Sequence, residues 1–361
     1  MSLVDRLFGQ HAGMVHDDDF RLLLAANAMG ALGTALVSPV LDSLTGPLGV
    51  SAAQIGLVVT AVAAPSIVLI PLSGALTDRF GRKPVLVTGL LGFGGGGLAI
   101  AFTTDFAVVL GLRALQGAAF AGVTPVIITC LGDLYDGDAE TTAQGIRFGT
   151  SGLSQAFFPA VAGLAVAVAW QYPFFIYGVA LPVAVAVALF FEEPRAASTG
   201  GEATDGGTDS TDGGTDSTRG YVVGLAAIAR RRRTLAFLLA RSVVVLPFIG
   251  FLTYNSLVVS RLQGGTPGQA GLLVALFSVV YAVTATQSGR IAARFDRPTL
   301  PLVGANLALG GGLVVFVLAP SVAAAAPAVT AMGVGVGVTF SLYRSIITGL
   351  APQSFRGGLV S

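Results

Sequence analysis

Four charges fall within six residues in the run Gly74-Ala75-Leu76-Thr77-Asp78-Arg79-Phe80-Gly81-Arg82-Lys83-Pro84. Placed where two apolar stretches meet, such a cluster can make and break ion pairs, which is the chemistry of a gate. Gly81 permits the tight backbone turn that joins them. A second candidate lies inside an apolar run, Leu112-Arg113-Ala114-Leu115-Gln116-Gly117-Ala118-Ala119. A guanidinium in an apolar layer is expensive, so it either points into a protein cavity or is satisfied by backbone carbonyls. Both readings stay open. Asp42 is the one Asp or Glu inside an apolar run, near its end. It is either a proton-binding carboxylate or a solvated acid at a helix terminus. Covalent and metal chemistry find no support. Cys130 is the single cysteine, and both histidines, His11 and His16, precede the first apolar run. No Ser/His/Asp, metal or nucleotide constellation can be assembled from them, so neither an enzymatic activity nor a cofactor or metal is expected.

The elements that must position these residues are membrane helices. Hydrophobic residues make up 53% of the 361 and charged residues only 11%, too few to cover a soluble surface. Each crossing of the hydrocarbon layer takes about 20 mainly apolar residues. Run length places spans at 22–44, 53–76, 84–103, 106–131, 145–169, 172–191, 234–258, 269–289, 299–319 and 321–349. The runs are continuously apolar rather than alternating, which favours helices over barrel strands. Glycine runs 92–97 and 333–337 lie inside such spans and read as close helix packing rather than phosphate loops.

Arginine placement gives the orientation. Apart from Arg113, Arg241 and Arg261, the Lys and Arg residues lie in the N-terminal segment or in and around the loops after even-numbered spans. The N-terminus is therefore expected on the cytoplasmic side of the cell membrane, with Arg261 on the opposite side. Residues 192–233 separate spans six and seven and carry Asp-Gly-Gly-Thr-Asp-Ser-Thr twice, at 205–211 and 212–218. Those repeats lack apolar side chains, so the stretch reads as a flexible linker, closed by the lipid-facing anchor Arg230–Arg233 rather than a nucleic-acid patch. The expected organisation is a bundle over 1–191, a linker over 192–233 and a second bundle over 234–361.

With these residues in hand, the sequence resembles the major facilitator superfamily. Residues 74–83 match its signature between helices two and three, G-x-L-[AST]-D-R-x-G-R-[RK], at every defining position. Residues 112–119 resemble its helix-four motif, with Arg113, Gly117 and Ala121 on one face. Gly289–Pro298 is a degraded copy of the first signature, the internal repeat expected of two similar bundles. The fifth span is a weaker match to the G-x-x-x-G-P-x-x-G-G stretch of proton-coupled drug exporters. Ser154, Phe158, Pro159, Ala162 and Gly163 stand there, with three of the five changed.

The resemblance implies an all-α polytopic bundle of two pseudo-symmetric halves that open a central cavity to each side in turn. Twelve spans are expected, and ten full ones are visible before the sequence stops in the eleventh. Residues 74–83, chiefly Gly74, Asp78, Arg79, Gly81, Arg82 and Lys83, would form the cytoplasmic gate. Asp78 would face the N-terminal end of helix eleven, and Arg82 would pair with Asp133. The cavity and coupling set is expected to include Asn27, Asp42, Arg113, Gln116, Gln155, Arg241, Tyr254, Asn255, Tyr281 and Gln287. So few charges suit an amphipathic or weakly polar solute, although Arg113 and Arg241 together would hold one carboxylate. The expected function is a secondary active transporter, a proton-coupled exporter of a small organic solute acting as a monomer in the bilayer. An uncoupled uniporter or importer, or a non-transporting sensor or inactive fragment, remain as alternatives.

Overall fold

The computed structural model describes residues 9–193 and 232–350, apart from Ala31, Thr34, Ala293 and residues 296–298. Among these residues all regular structure is helical. The first half comprises α1 (Asp18–Gly30), α2 (Leu41–Leu48), α3 (Ala52–Ile55), α4 (Leu57–Phe80), α5 (Arg82–Ala99), α6 (Phe106–Ala121), α7 (Thr124–Leu134), α8 (Gly137–Ala165), α9 (Tyr172–Phe175) and α10 (Ala180–Phe190). The second half follows with α11 (Arg232–Leu257), α12 (Pro267–Ala292), α13 (Thr299–Leu318) and α14 (Val322–Leu350). Eight of the described helical segments are long and apolar enough to cross a membrane. Large apolar side chains such as Ile67, Leu189, Leu246 and Leu318 are exposed on them. Water would penalise that surface, and hydrocarbon does not.

The eight segments correspond to all the expected spans except the first and the fifth. The fifth, α8, is long enough at 29 residues but carries Arg147 and a series of hydroxyl and amide side chains. The first differs from expectation in kind. Residues 22–44 do not form one helix: α1 ends at Gly30, turns occupy the described residues of 31–37, and the chain resumes as a short 3₁₀ turn, Ser38–Val40, leading into α2. Gly30, Gly33 and Pro39 mark the interruption, since glycine weakens a helix and proline supplies no N–H to an interior turn. The expected fourth span is likewise two helices, α6 and α7, with Pro125 in the first turn of α7.

Two compact units emerge, and their limits run through helices. One holds residues up to 196 together with 250–279 and 317–326; the other holds 197–249, 280–316 and 327–361. In the first, α6 packs along α4 and α5, α10 along α5 and α1, and α8 along α1. The Gly92–Gly97 run serves that packing: a Cβ on Gly97 would collide with the Tyr177 ring. In the second unit, Phe340 of α14 meets the rings of Phe248 on α11 and Tyr281 on α12.

The interruption in the first span leaves carbonyls that no helix satisfies, in a region where water cannot do so. The buried Tyr177, between α9 and α10, donates its hydroxyl to the Leu32 carbonyl at 2.7 Å. Replacing Tyr177 by Phe keeps the ring and removes that donor. The expected cost is about 1–3 kcal/mol, the usual penalty for a buried group left without a partner. It should register as a lower melting temperature of the detergent-purified protein, and an unchanged one would show that the Leu32 carbonyl is satisfied otherwise.

Candidate functional site

At the end of α4 the backbone reverses through Gly81, whose φ of 85° is open to glycine and strained for other residues. The turn sets Arg82 at the start of α5, and its guanidinium forms an ion pair with Asp133 at the end of α7. A further acid joins them: the Glu193 carboxylate accepts from the backbone N–H of Arg82. A carboxylate there also complements the positive N-terminal end of α5. The residue before it is tied down as well, because the Glu192 N–H donates to Asp19 at 3.0 Å. Nearby, Tyr135 donates to Asp17 at 2.8 Å. Burial first, then its bond to Asp17, pushes the Tyr135 phenol up. Gly74, Asp78 and Arg79 are exposed, and the Arg79 guanidinium lies 5.3 Å from the Phe80 ring centre. Lys83 is half-buried. Helix eleven, the expected partner of Asp78, lies outside the described residues.

Deeper in the first unit, Arg113 is 1% exposed and Gln116 is fully buried. Arg113 donates to the Gln116 carbonyl oxygen at 3.0 Å, to the Tyr177 hydroxyl at 3.0 Å and to the Gly33 carbonyl at 3.3 Å. Gln116 in turn donates to the Phe93 carbonyl at 3.0 Å. Both side chains therefore hold backbone together across helices. A separate cluster joins α1 to α8. The Asn27 amide donates to the Ser151 hydroxyl at 2.8 Å and to the Arg147 carbonyl at 3.0 Å, while Arg147 donates to Gln144 at 2.9 Å.

At the opposite end of the unit, Asp42 of α2 meets residues that follow α11. Arg261 donates to one carboxylate oxygen at 2.7 Å and the Ser260 hydroxyl to the other. Asn255 is fully buried and donates to the Ala270 carbonyl at 3.1 Å, bracing α11 against α12. Tyr254 is 45% exposed, with its hydroxyl beside Gly56. The fifth-span residues lie against α12: a Cβ on Gly163 would strike the Pro267 carbonyl, and one on Gly271 the Pro159 carbonyl. Two helices touch here backbone to backbone.

The ten expected cavity residues thus fall into several places. Arg113 and Gln116 share a cluster; Asn27, Asp42 and Asn255 each belong to others. Gln155 is half-buried on α8. Tyr281 and Gln287, half-buried on α12, belong to the second unit. The Arg241 side chain lies outside the described residues. Sequence reasoning missed Tyr177, Ser260 and Glu193. A tyrosine or serine in an apolar run gives no signal of its own, whereas the acidic pair Glu192–Glu193 ending a span was a visible one. In the sequence Arg261 stands out only as a base expected on the opposite side.

Comparison with known proteins converges on one family. The family model described as Major Facilitator Superfamily matches residues 23–361. The bacillibactin exporter of Bacillus subtilis is 38% identical over 120 residues, covering 32% of this chain and 30% of the relative. The quinolone resistance protein NorA of Staphylococcus aureus is 25% identical over 173 residues, 47% of this chain and 44% of the relative. Each match spans less than half the length of the curated relative. Among solved structures, a bacterial homolog of the human lysosomal transporter Spinster, in an inward-facing and occupied conformation, gives a TM-score of 0.78 at 16% identity, covering 94% of this chain and 76% of that one. A D-xylose-proton symporter gives 0.72 at 16% identity over 95% and 85%.

The clasp of Arg82, Asp133 and Glu193 has a direct test. Glu193→Ala removes the acceptor at the start of α5 and should cost about 1 kcal/mol, as loss of a helix cap does. In a double-mutant cycle, Arg82→Gln and Asp133→Asn should each destabilise, and the pair together by less than their sum. Thermal unfolding in detergent measures both effects. Strict additivity would mean that the two side chains do not interact.

Proposed function

The chain belongs to the Major Facilitator Superfamily, and from that premise we propose that it moves a small organic solute across the membrane by alternating access, as a proton-coupled exporter. The observation that carries this reading is the charged turn 74–83, with Arg82 clasped to Asp133 at its base. It is a partly exposed ionic contact at the ends of its helices, of a kind that can form and open. The name of the bacillibactin exporter supports export. The N-terminus faces the cytoplasm, because nearly all the Lys and Arg residues lie on that side. Asp78 acts within the gate, and the protein works as a monomer in the bilayer.

The solute is amphipathic or weakly polar. Arg113, Gln116, Asn27 and Asn255 are each engaged by carbonyls or side chains of the protein itself. A polyvalent ion would find few polar groups to replace its water.

A ligand screen in proteoliposomes, with and without an imposed pH gradient, tests the proposal. Accumulation that follows the gradient is expected. Substrate-dependent uptake indifferent to pH would favour a uniporter, and absence of counterflow would leave a sensor or inactive chain. Asp78→Asn should lower flux by roughly tenfold or more, equivalent to about 1.4 kcal/mol on the limiting step. Membrane insertion should be unchanged, and wild-type flux in that variant would count against a gate role for Asp78.

A further inference from the structure

Among the described residues, the buried cation of Arg113 has no acid partner. Asp105, just ahead of α6, is engaged in capping that helix, accepting from the Ala107 and Val108 N–H groups at 2.8 and 3.2 Å. Asp42, the one Asp or Glu inside an apolar run, is paired with Arg261, which the π turn Val258–Leu262 after α11 carries to it. Ring faces and neutral carbonyls offset only part of the hydration that a buried guanidinium gives up. Its hydrogen bonds are also one-sided. All of them leave from Nη1, to Gly33, Gln116 and Tyr177. The buried Nε and Nη2 meet no acceptor of the protein. These two nitrogens form one edge of the guanidinium, the fork that matches both oxygens of a carboxylate. Gly33 belongs to the interruption of the first span, and non-helical backbone at membrane depth is tolerated where it is buried in protein or lines a cavity.

We propose that the Nε–Nη2 edge of Arg113 binds a carboxylate of the solute, which makes the solute an amphipathic monocarboxylate. The protein readies this edge by holding the other. Nη1 is fixed by its three acceptors, and Gln116 is fixed in turn by the Phe93 carbonyl at 3.0 Å. The plane of the fork is therefore set before a ligand arrives, which lowers the cost of ordering it. The rings of Phe93, Phe174 and Tyr177 are at most 1% exposed and surround the group with apolar matter, where a charge pair is stronger than in water. A carboxylate supplies both the missing charge and the two missing acceptors. An amide brings one acceptor and a donor that would face an N–H, and an ammonium brings a second positive charge. That the ligand is the transported solute rests on the transport reading above, and the carboxylate site itself does not.

Equilibrium dialysis of the full chain in lipid nanodiscs, with benzoate as the probe, tests the site. Benzamide and benzylamine carry the same ring with a neutral or a cationic head. At mildly alkaline pH benzoate should bind about tenfold or more tightly than either, the margin of a charged two-point contact. Added chloride at the same concentration should not displace it, because a sphere cannot engage both arms of the fork at separate atoms. Arg113→Lys keeps the charge and loses the fork, and should weaken benzoate by about tenfold or more. Gln116→Glu preserves side-chain shape and sets a carboxylate of the protein against Nη1, so it should abolish benzoate binding. Benzamide bound as tightly as benzoate, displacement by chloride, or wild-type affinity in either variant would overturn the proposal. Selective benzoate binding without benzoate counterflow in proteoliposomes would defeat the transport reading alone. Counterflow of benzoate and benzamide at equal rates would defeat this one.

Discussion

The interruption of the first span, and the two side chains that satisfy it, set the terms for the rest of the bundle. Inside a bilayer a helix cannot stop and leave its carbonyls to water. Here it stops between Gly30 and Ser38, and the Leu32 and Gly33 carbonyls are met by Tyr177 and Arg113. That requirement fixes Arg113 on α6 and Tyr177 ahead of α10. It also draws α5 into place, because Gln116, the neighbour of Arg113, holds the Phe93 carbonyl. The short helix beyond the interruption carries Asp42. A continuous helix over 22–44 would present that carboxylate at another height and angle.

Arg113 shows how a buried charge is accommodated. Its guanidinium lies 5.5 Å from the Tyr177 ring centre and 5.9 Å from that of Phe174, so aromatic faces share the work of replacing water. The sequence left two readings for this residue, a cavity charge or a satisfied structural one. All three of its hydrogen bonds leave from Nη1 to acceptors in the protein, so it braces the helices, while the buried Nε and Nη2 have no hydrogen-bond partner and both readings stand.

Much of this architecture was legible in the residues. Apolar run length located the long helices, because a membrane span is defined by composition over distance and little else. The Arg82–Asp133 pair was legible because the two charges end adjacent helices on one side. The break at 31–37 was not, although Gly30, Gly33 and Pro39 stood in plain view. Run length measures apolarity, and the residues there are apolar whether or not their backbone is helical. Tyr177 and Gln116 escaped recognition as partners for a related reason: they bond carbonyls, and a backbone carbonyl has no letter in the sequence. Arg261 was noticed for its side of the membrane, yet its partner depends on a π turn that no periodicity announces.

The polar contacts also differ in the work they can do. Hydrogen bonds involving charged groups contribute about 1.5–3 kcal/mol when buried, and removing one partner costs more. Arg113 belongs to that class, and a bundle that broke such contacts in every cycle would face a barrier with no compensating water. Solvent-exposed ion pairs contribute only about 0.2–1 kcal/mol. Arg261, half exposed, belongs near that class. A contact that must form and open repeatedly is better built from the weaker kind, where water takes over each group as it leaves. The buried contacts tie helices to one another, whereas the pairs Arg82–Asp133 and Asp42–Arg261 are partly exposed.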